Sequence, residues 1–354
     1  MATRKIAIIG AGMMGSALCW PLSDNGHQVN LVGTHLDEQI ISSIRSNRLH
    51  PKLQRSMPNK VIPYSHTQLA EALQDAEIIV SGVSSFGVNW FADTVGPLFK
   101  PGIPVLAVTK GLEDLPNGDL LILPEVINRK LPAHLQNKIS LNAIGGPCNA
   151  HDLAARCQSG VVYCGKDIAT LQMLRQTFAT SYYHIRISND MVGVEACAAL
   201  KNAYALGVGL GIGMMEQSGP DGLSQGYNPT AALFAQGCLE IQRFLRLMEG
   251  KPDHISDLPA PGDLYVTAAG GRTVRLGKLL GQGVSYTEAR KRLAGETLES
   301  VEIITHAARA LPKLAARGLA RVEDFPLIMH MNRVINEGLP VNIPWTEMFA
   351  DHIY

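Results

Sequence analysis

An excess of charge of either sign is missing from this sequence. Its 354 residues hold 31 Lys+Arg and 31 Asp+Glu, a formal net charge of zero. A nucleic-acid binder or a protein held on an anionic membrane surface draws on a basic excess, so neither partner is expected. Cysteine is sparse. Cys19, Cys148, Cys157, Cys164, Cys197 and Cys238 form no C-x-x-C pair and are too scattered for a disulfide scaffold. Most sit in apolar surroundings, as reduced core cysteines do. No uncharged apolar stretch reaches membrane-spanning length, and the four residues before the first strand-like run leave no room for a signal peptide. Repeats, low-complexity tracts and metal-holding histidine–carboxylate clusters are also lacking. These absences predict a soluble, cytoplasmic protein without a metal. What is present, 46% hydrophobic residues over this length, suits two packed domains.

The most informative segment comes first. Lys5–Ile9 is an apolar, β-branched run, Gly10-Ala-Gly12-Met13-Met14-Gly15 follows at once, and Ser16-Ala-Leu-Cys-Trp-Pro-Leu reads as a helix. A G-x-G-x-x-G run between a strand and a helix is a dinucleotide-binding signature, whereas the same run elsewhere is a packing turn. Gly10 permits the tight turn, Gly12 lets the backbone approach a pyrophosphate, and Gly15 lets helix and strand pack closely. The pyrophosphate would rest on the free amides at the helix start.

Alternation continues through the first half. Strand-like runs are Lys5–Ile9, Gln28–Val32, Glu77–Gly82, Pro104–Val108, Ile139–Ile144, Gly160–Tyr163 and Tyr183–Ile187, with amphipathic stretches such as Asp37–Asn47 and Thr67–Leu73 between them. That pattern predicts a parallel sheet. Beyond Asn189-Asp190 the chain reads as helices: Val194–Leu210, Pro229–Met248, Thr287–Leu293, Thr297–Arg317 and Phe325–Glu337, with glycine-rich loops at 219–226 and 270–271. The expected architecture is α/β plus all-α: a Rossmann-type domain over residues 1–190 and a helical substrate domain over 191–354, with substrate meeting cofactor in the crevice between them.

Strand two ends at Leu31-Val-Gly-Thr34-His35 with neither an acid for an NAD ribose nor an arginine for a 2′-phosphate at its tip. Asp37 reads as the start of the next helix. Thr34 and His35 suit either cofactor, so the expectation is NAD or NADP without preference. Four polar clusters stand out: Val108-Thr-Lys110-Gly-Leu-Glu113, Glu195-Ala-Cys-Ala-Ala-Leu-Lys201-Asn202-Ala, Gly226-Tyr-Asn228-Pro-Thr, and Pro261-Gly-Asp263-Leu-Tyr-Val-Thr267-Ala-Ala-Gly-Gly-Arg272-Thr273. Lys201 is flanked by residues that are apolar nearly all round, which predicts a buried helix. A buried lysine needs a partner, and desolvation tunes it for proton exchange. Spacing alone leaves open a lysine that snorkels from a helix margin.

Taken together and in this order, Gly10–Gly15, Thr-Lys-Gly-Leu-Glu at 109–113, Gly-Pro at 146–147, Ala-Leu-Lys-Asn at 199–202, Gly-Asp-Leu at 262–264 and Gly-Gly-Arg at 270–272 give a chain that resembles the NAD(P)-dependent glycerol-3-phosphate dehydrogenase family. The resemblance runs from the first strand to Glu337-Gly-Leu. It implies Lys201 as general acid/base on the carbinol or carbonyl oxygen, Asp263 orienting it, and Lys110 adding positive charge. It implies Asn202 bonding the substrate, Thr267 positioning the lysine and the polyol, Asn228 in the same substrate-binding region, Thr273 at the phosphate pocket, and Arg272 gripping the phosphate and cofactor side. Ser84 and Phe86 would cover the pyrophosphate and nicotinamide, and Ala150 would line the nicotinamide pocket. The cofactor set is then Gly10, Gly12, Met13, Met14, Gly15, Thr34, His35, Ser84, Phe86, Lys110, Ala150 and Arg272.

The substrate end departs from the family pattern. Thr273 stands where asparagine is usual. Pro229-Thr230 follow Asn228 where a basic residue is usual. The 215–224 loop is longer, and Asn149 and His151 are unusual beside Gly146-Pro147. A polyol phosphate other than glycerol 3-phosphate, or a polyol acid, is therefore a competing substrate class. Further competing readings are an opine- or ketopantoate-type dehydrogenase and a non-catalytic NAD(P)H-binding regulator. The apolar second-half helices predict a homodimer.

Overall fold

A computed structural model describes residues 2–217 and 227–350. All seven strand-like runs become strands of one eight-stranded sheet. In chain order its strands are β1 (Lys5–Ile9), β2 (Gln28–Val32), β3 (Val61–Tyr64), β4 (Ile78–Ser81), β5 (Pro104–Ala107), β6 (Ser140–Gly145), β7 (Ser159–Gly165) and β8 (Tyr183–Ser188). Their spatial order is β8-β7-β6-β5-β4-β1-β2-β3, and every neighbouring pair is parallel except β6–β7. Six strands thus reproduce the order 3-2-1-4-5-6 of the doubly wound dinucleotide fold, which reverses beside β1. Ile6 to Ile9 and all of β4 are buried, the continuous apolar pattern of strands covered on both faces. Ile8, Leu18, Leu31, Ile41, Val80, Tyr163 and Phe178 belong to one core cluster.

The strand of this sheet that sequence patterning missed is β3. Pro63 breaks its apolar alternation, and it is tolerated because β3 forms a sheet edge. Helices Leu123–Lys130 and Ile168–Phe178 also go beyond the sequence reading; Asp167 caps the second by accepting from the amides of Ala169 and Thr170.

The chain divides into two compact units, residues 1–110 with 123–194, and residues 111–122 with 195–354. The second is built of helices, chiefly Glu195 onward of Met191–Gln217, Tyr227–Leu247, Arg272–Gly281, Glu299–Ala316 and Pro326–Asn336. It also holds one hairpin, Leu112–Asp114 paired with Leu120–Ile122, whose Asp114 bonds Arg309 and Lys313 of Glu299–Ala316. Helices Met191–Gln217 and Arg272–Gly281 cross at backbone contact. A Cβ on Gly209 would come within 2.8 Å of the Val274 carbonyl oxygen and 3.0 Å of the Gly277 Cα. Among the described residues, no helix is long and apolar enough to cross a membrane.

A buried carboxylate organises one end of this unit. Glu240, 0% exposed, accepts from Gln236, from the Tyr204 hydroxyl, and from the Leu327 and Ile328 amides that open helix Pro326–Asn336. Burial pushes its carboxyl up from the ordinary 4.5 to about 7, against the pull of those four donors. The native state therefore favours the protonated form. That contribution is fully present below the unfolded value and is lost as pH rises through 7. The gap amounts to about 3 kcal/mol. Buried His330, its pKa lowered by burial to about 4, runs the opposite way. The Glu240 effect is thus expected in a difference: the stability of the wild type relative to Glu240→Gln, measured by urea unfolding, falls by a few kcal/mol between pH 4.5 and 8. A flat difference would deny Glu240 this role.

Candidate active site

In the first unit the glycine turn lies at the reversal point of the sheet. Gly10 has φ +105°, and a Cβ there would come within 2.7 Å of the Gly82 carbonyl carbon, in the loop after β4. A Cβ on Gly15 would come within 2.5 Å of the Gly10 carbonyl oxygen. Both glycines are demanded by the protein itself. Gly12 is different: its nearest neighbour would be the Gly82 carbonyl oxygen at 3.9 Å, so the chain leaves that space open. Gly12 also opens helix Met13–Ala17 without any side-chain cap. Leu18 keeps a right-handed helical conformation, so the backbone winds on into Cys19–Asp24. An open cradle beside an uncapped helix start fits a diphosphate.

The neighbouring strand ends complete this edge. After β4, Ser84 precedes the turn Ser85–Gly87, and Phe86 stands 56% exposed. After β5, Thr109 donates to the Val83 carbonyl at 2.5 Å, fastening two strand ends together. Lys110 reaches the Gly146 carbonyl after β6 at 3.4 Å. Ala150 is buried at the head of helix Ala150–Ala154, which packs on Met13–Ala17. Asn149 caps that helix by accepting from the Asp152 amide, so its presence there has a structural reason. Met13 is 38% exposed and Met14 is half-buried. His35 is exposed and meets Trp90 edge-on at 5.9 Å.

Two residues of this edge were not anticipated. The sequence reading made Asp37 a helix-start residue, and it does stand at the N-cap of Glu38–Asn47, but its side chain caps nothing there. Its Oδ2 instead accepts from the amide of Ala11 (3.2 Å), from the amide of Thr34 (2.9 Å) and from the Thr34 hydroxyl (2.8 Å). The second is His50, fully buried, whose Nε2 bonds the Ala11 carbonyl at 3.1 Å while its Nδ1 accepts from the Leu53 amide. A carbonyl only accepts, so the proton sits on Nε2 and the ring is neutral. Burial lowers its pKa in the same sense. The Ala11 peptide is held from both sides. No sequence periodicity marks His50.

In the second unit Lys201 is 6% exposed on a helix buried nearly all round. Its ammonium does not snorkel. It donates to Asp263 Oδ1 at 2.8 Å and Thr267 Oγ1 at 2.6 Å. Asp263 and Thr267 lie four apart on helix Asp263–Ala268 and so share one face. Asp263 is 3% exposed, and a carboxylate at this distance offsets the desolvation of the ammonium. Asn202 follows, half-buried. Arg272 opens helix Arg272–Gly281 and pairs through Nη2 with both oxygens of Glu299, at 2.6 and 2.5 Å. Glu299 was not anticipated. Thr273 is buried at 5% exposure, and Asn228 is exposed in the first turn of Tyr227–Leu247. Gly226 and most of the long loop, residues 218–226, lie outside the described residues.

Comparison with known proteins follows this geometry in both halves. The family described as NAD-dependent glycerol-3-phosphate dehydrogenase N-terminus matches residues 5–170, and its C-terminus counterpart matches residues 190–345. An NADP(+)-dependent glycerol-3-phosphate dehydrogenase of Archaeoglobus fulgidus is 32% identical over 95% of this chain and 96% of its own length. A glycerol-3-phosphate dehydrogenase (NAD(P)+) 2 of Lactobacillus delbrueckii subsp. bulgaricus is 32% identical over 94% of this chain and 93% of its own. Among solved structures, a glycerol-3-phosphate dehydrogenase of Coxiella burnetii shares the fold, with a TM-score of 0.78 at 24% identity and 98% coverage of both chains.

Proposed function

The chain belongs to the NAD-dependent glycerol-3-phosphate dehydrogenase family, and from that premise we propose that it interconverts glycerol 3-phosphate and dihydroxyacetone phosphate with NAD(P). Residues 1–190 serve the cofactor in this reading, and residues 191–354 serve substrate and proton transfer. The observation that carries it is the buried Lys201–Asp263–Thr267 group, a positioned ammonium with two oriented partners in an apolar helix.

When bound, the nicotinamide supplies the hydride acceptor or donor. All else falls to the chain. Lys201 Nζ gives its proton to the carbonyl oxygen during reduction and takes it back during oxidation. Asp263 and Thr267 fix that nitrogen, so little reorganisation accompanies the transfer. Lys110 adds positive charge where negative charge grows on oxygen. Arg272, a planar fork of donors already oriented by Glu299, receives the phosphate. Asn202 and Asn228 bond the polyol, and Thr273 shapes the pocket from its buried position. On the cofactor side Gly10, Gly12, Met13, Met14 and Gly15 cradle the diphosphate. Ser84, Phe86 and Ala150 shield the nicotinamide, and Thr34 and His35 lie toward the adenosine.

Initial rates test this reading. Dihydroxyacetone phosphate is expected to be reduced at least about tenfold more efficiently than tetrulose phosphates, polyol-derived keto acids and 2-keto acids, because a pocket built for one polar group rejects analogues that leave it unpaired. Preference for a longer or carboxylated polyol would trace the substrate change to Thr273 and Pro229-Thr230. A fold keeping Lys201 and Asp263 buried together has no use for them as a mere sensor, so turnover is the expected result. A cytoplasmic homodimer is part of the same proposal, and a molar mass of twice 38.2 kDa in light scattering would support the dimer.

A further inference from the structure

Resting on the dinucleotide reading above, we propose that Asp37 is the ribose ligand of this site and makes the chain selective for NAD(H) over NADP(H). Ala11 is the residue between Gly10 and Gly12. Its amide donates to Asp37 Oδ2, so the carboxylate lies directly against the turn that faces the diphosphate. The sugar joined to that diphosphate on the adenosine side is the group a carboxylate there can reach. Asp37 follows Gly15 by 22 residues, about the separation at which an acid binds the ribose hydroxyls in this fold.

The carboxylate is also prepared for the task. Oδ2 takes all three donors, from Ala11 and Thr34. Among the described residues Oδ1 accepts no hydrogen bond, which leaves it for a 2′-hydroxyl. The anchoring bonds hold the negative charge in place, so a 2′-phosphate would have to sit beside a fixed carboxylate. Among the described residues no Lys or Arg bonds Asp37, Thr34 or His35. Arg45 is turned to the Pro63 carbonyl and Gln68, and Arg48 to the carbonyls of Met57, Pro58 and Val61. His50, on the far side of the Ala11 peptide, is held neutral by its two bonds. The exposed His35 meets the half-buried Trp90 edge-on, and the two rings offer an adenine an aromatic surface to lie on.

Dissociation constants for NADH and NADPH, measured by tryptophan-fluorescence quenching without substrate, decide this. NADH is expected to bind at least about a hundredfold more tightly, since like charges placed together at an interface are strongly disfavoured. Asp37→Asn keeps an oxygen for Ala11 and Thr34 but removes the charge. It is expected to narrow the ratio at least about tenfold, mainly by tighter NADPH binding. His35→Arg, which leaves every bond of Asp37 in place, is expected to narrow it in the same direction. Equal or tighter binding of NADPH by the wild type would overturn the proposal, as would an unchanged ratio in both folded variants. Failure to bind either nucleotide would instead overturn the dinucleotide reading on which it rests.

Discussion

Replacing Lys201 by methionine is expected to lower kcat by at least about a thousandfold while NADH affinity changes less than about twofold, since a general acid and a charge on the developing oxyanion are lost together. The geometry makes this the most sensitive position in the second unit. Lys201 Nζ has two fixed partners, and the helix around it admits little water to take over. The single variant leaves Asp263 as a buried charge without its counter-ion, which destabilises by roughly 3–5 kcal/mol. The double variant Lys201→Met/Asp263→Asn removes that charge, so it separates catalysis from folding. It is expected to fold at least as well as the single variant and to be as inactive. Added methylamine should partly restore turnover to Lys201→Ala, because a small ammonium can enter the emptied space. Turnover retained in the double variant would exclude Lys201 as the proton-transfer group.

Gly10→Ala and Gly12→Ala are expected to fail in different ways. At Gly10 the backbone is left-handed and the new methyl would press on Gly82 and Val83 backbone atoms at 2.7 to 2.9 Å. Neither neighbour is a flexible side chain. Strain and overpacking together should destabilise the first unit by roughly 3 kcal/mol or more, seen as a lower midpoint in chemical unfolding. Gly12 has φ −64° and open space, so Gly12→Ala should leave the midpoint almost unchanged. Its effect should fall on the cofactor, with NADH affinity lowered by about tenfold or more as the methyl occupies the diphosphate's place. The reverse assignment, a stable Gly10→Ala with a collapsed Gly12→Ala, would show that the turn is built on other contacts.

Much of this was legible beforehand because it is local. A β-branched run, a glycine turn and a helical run are read within twenty residues, and Lys5–Ile9, Gly10–Gly15 and the helix behind them stand where patterning put them. The buried helix around Lys201 follows equally from an apolar pattern without a polar face. The order of the family motifs along the chain also needed no coordinates.

What the sequence did not disclose is which distant side chains meet. Asp263 lies 62 residues from the Lys201 it bonds; only the resemblance to a family suggested the pair, and only the packing of two helices makes it a 2.8 Å contact. Asp37 and His50 reach Ala11 across 26 and 39 residues. Locally, Asp37 has every mark of a helix cap, and the alternative acceptor role exists only because β1 and β2 are neighbours in the sheet. Pro63 can stand within β3 because the edge position removes the need for its missing amide. Periodicity fixes which face of a segment turns inward. The partner waiting there is chosen by the order in which strands and helices stack, and that order exists only in three dimensions.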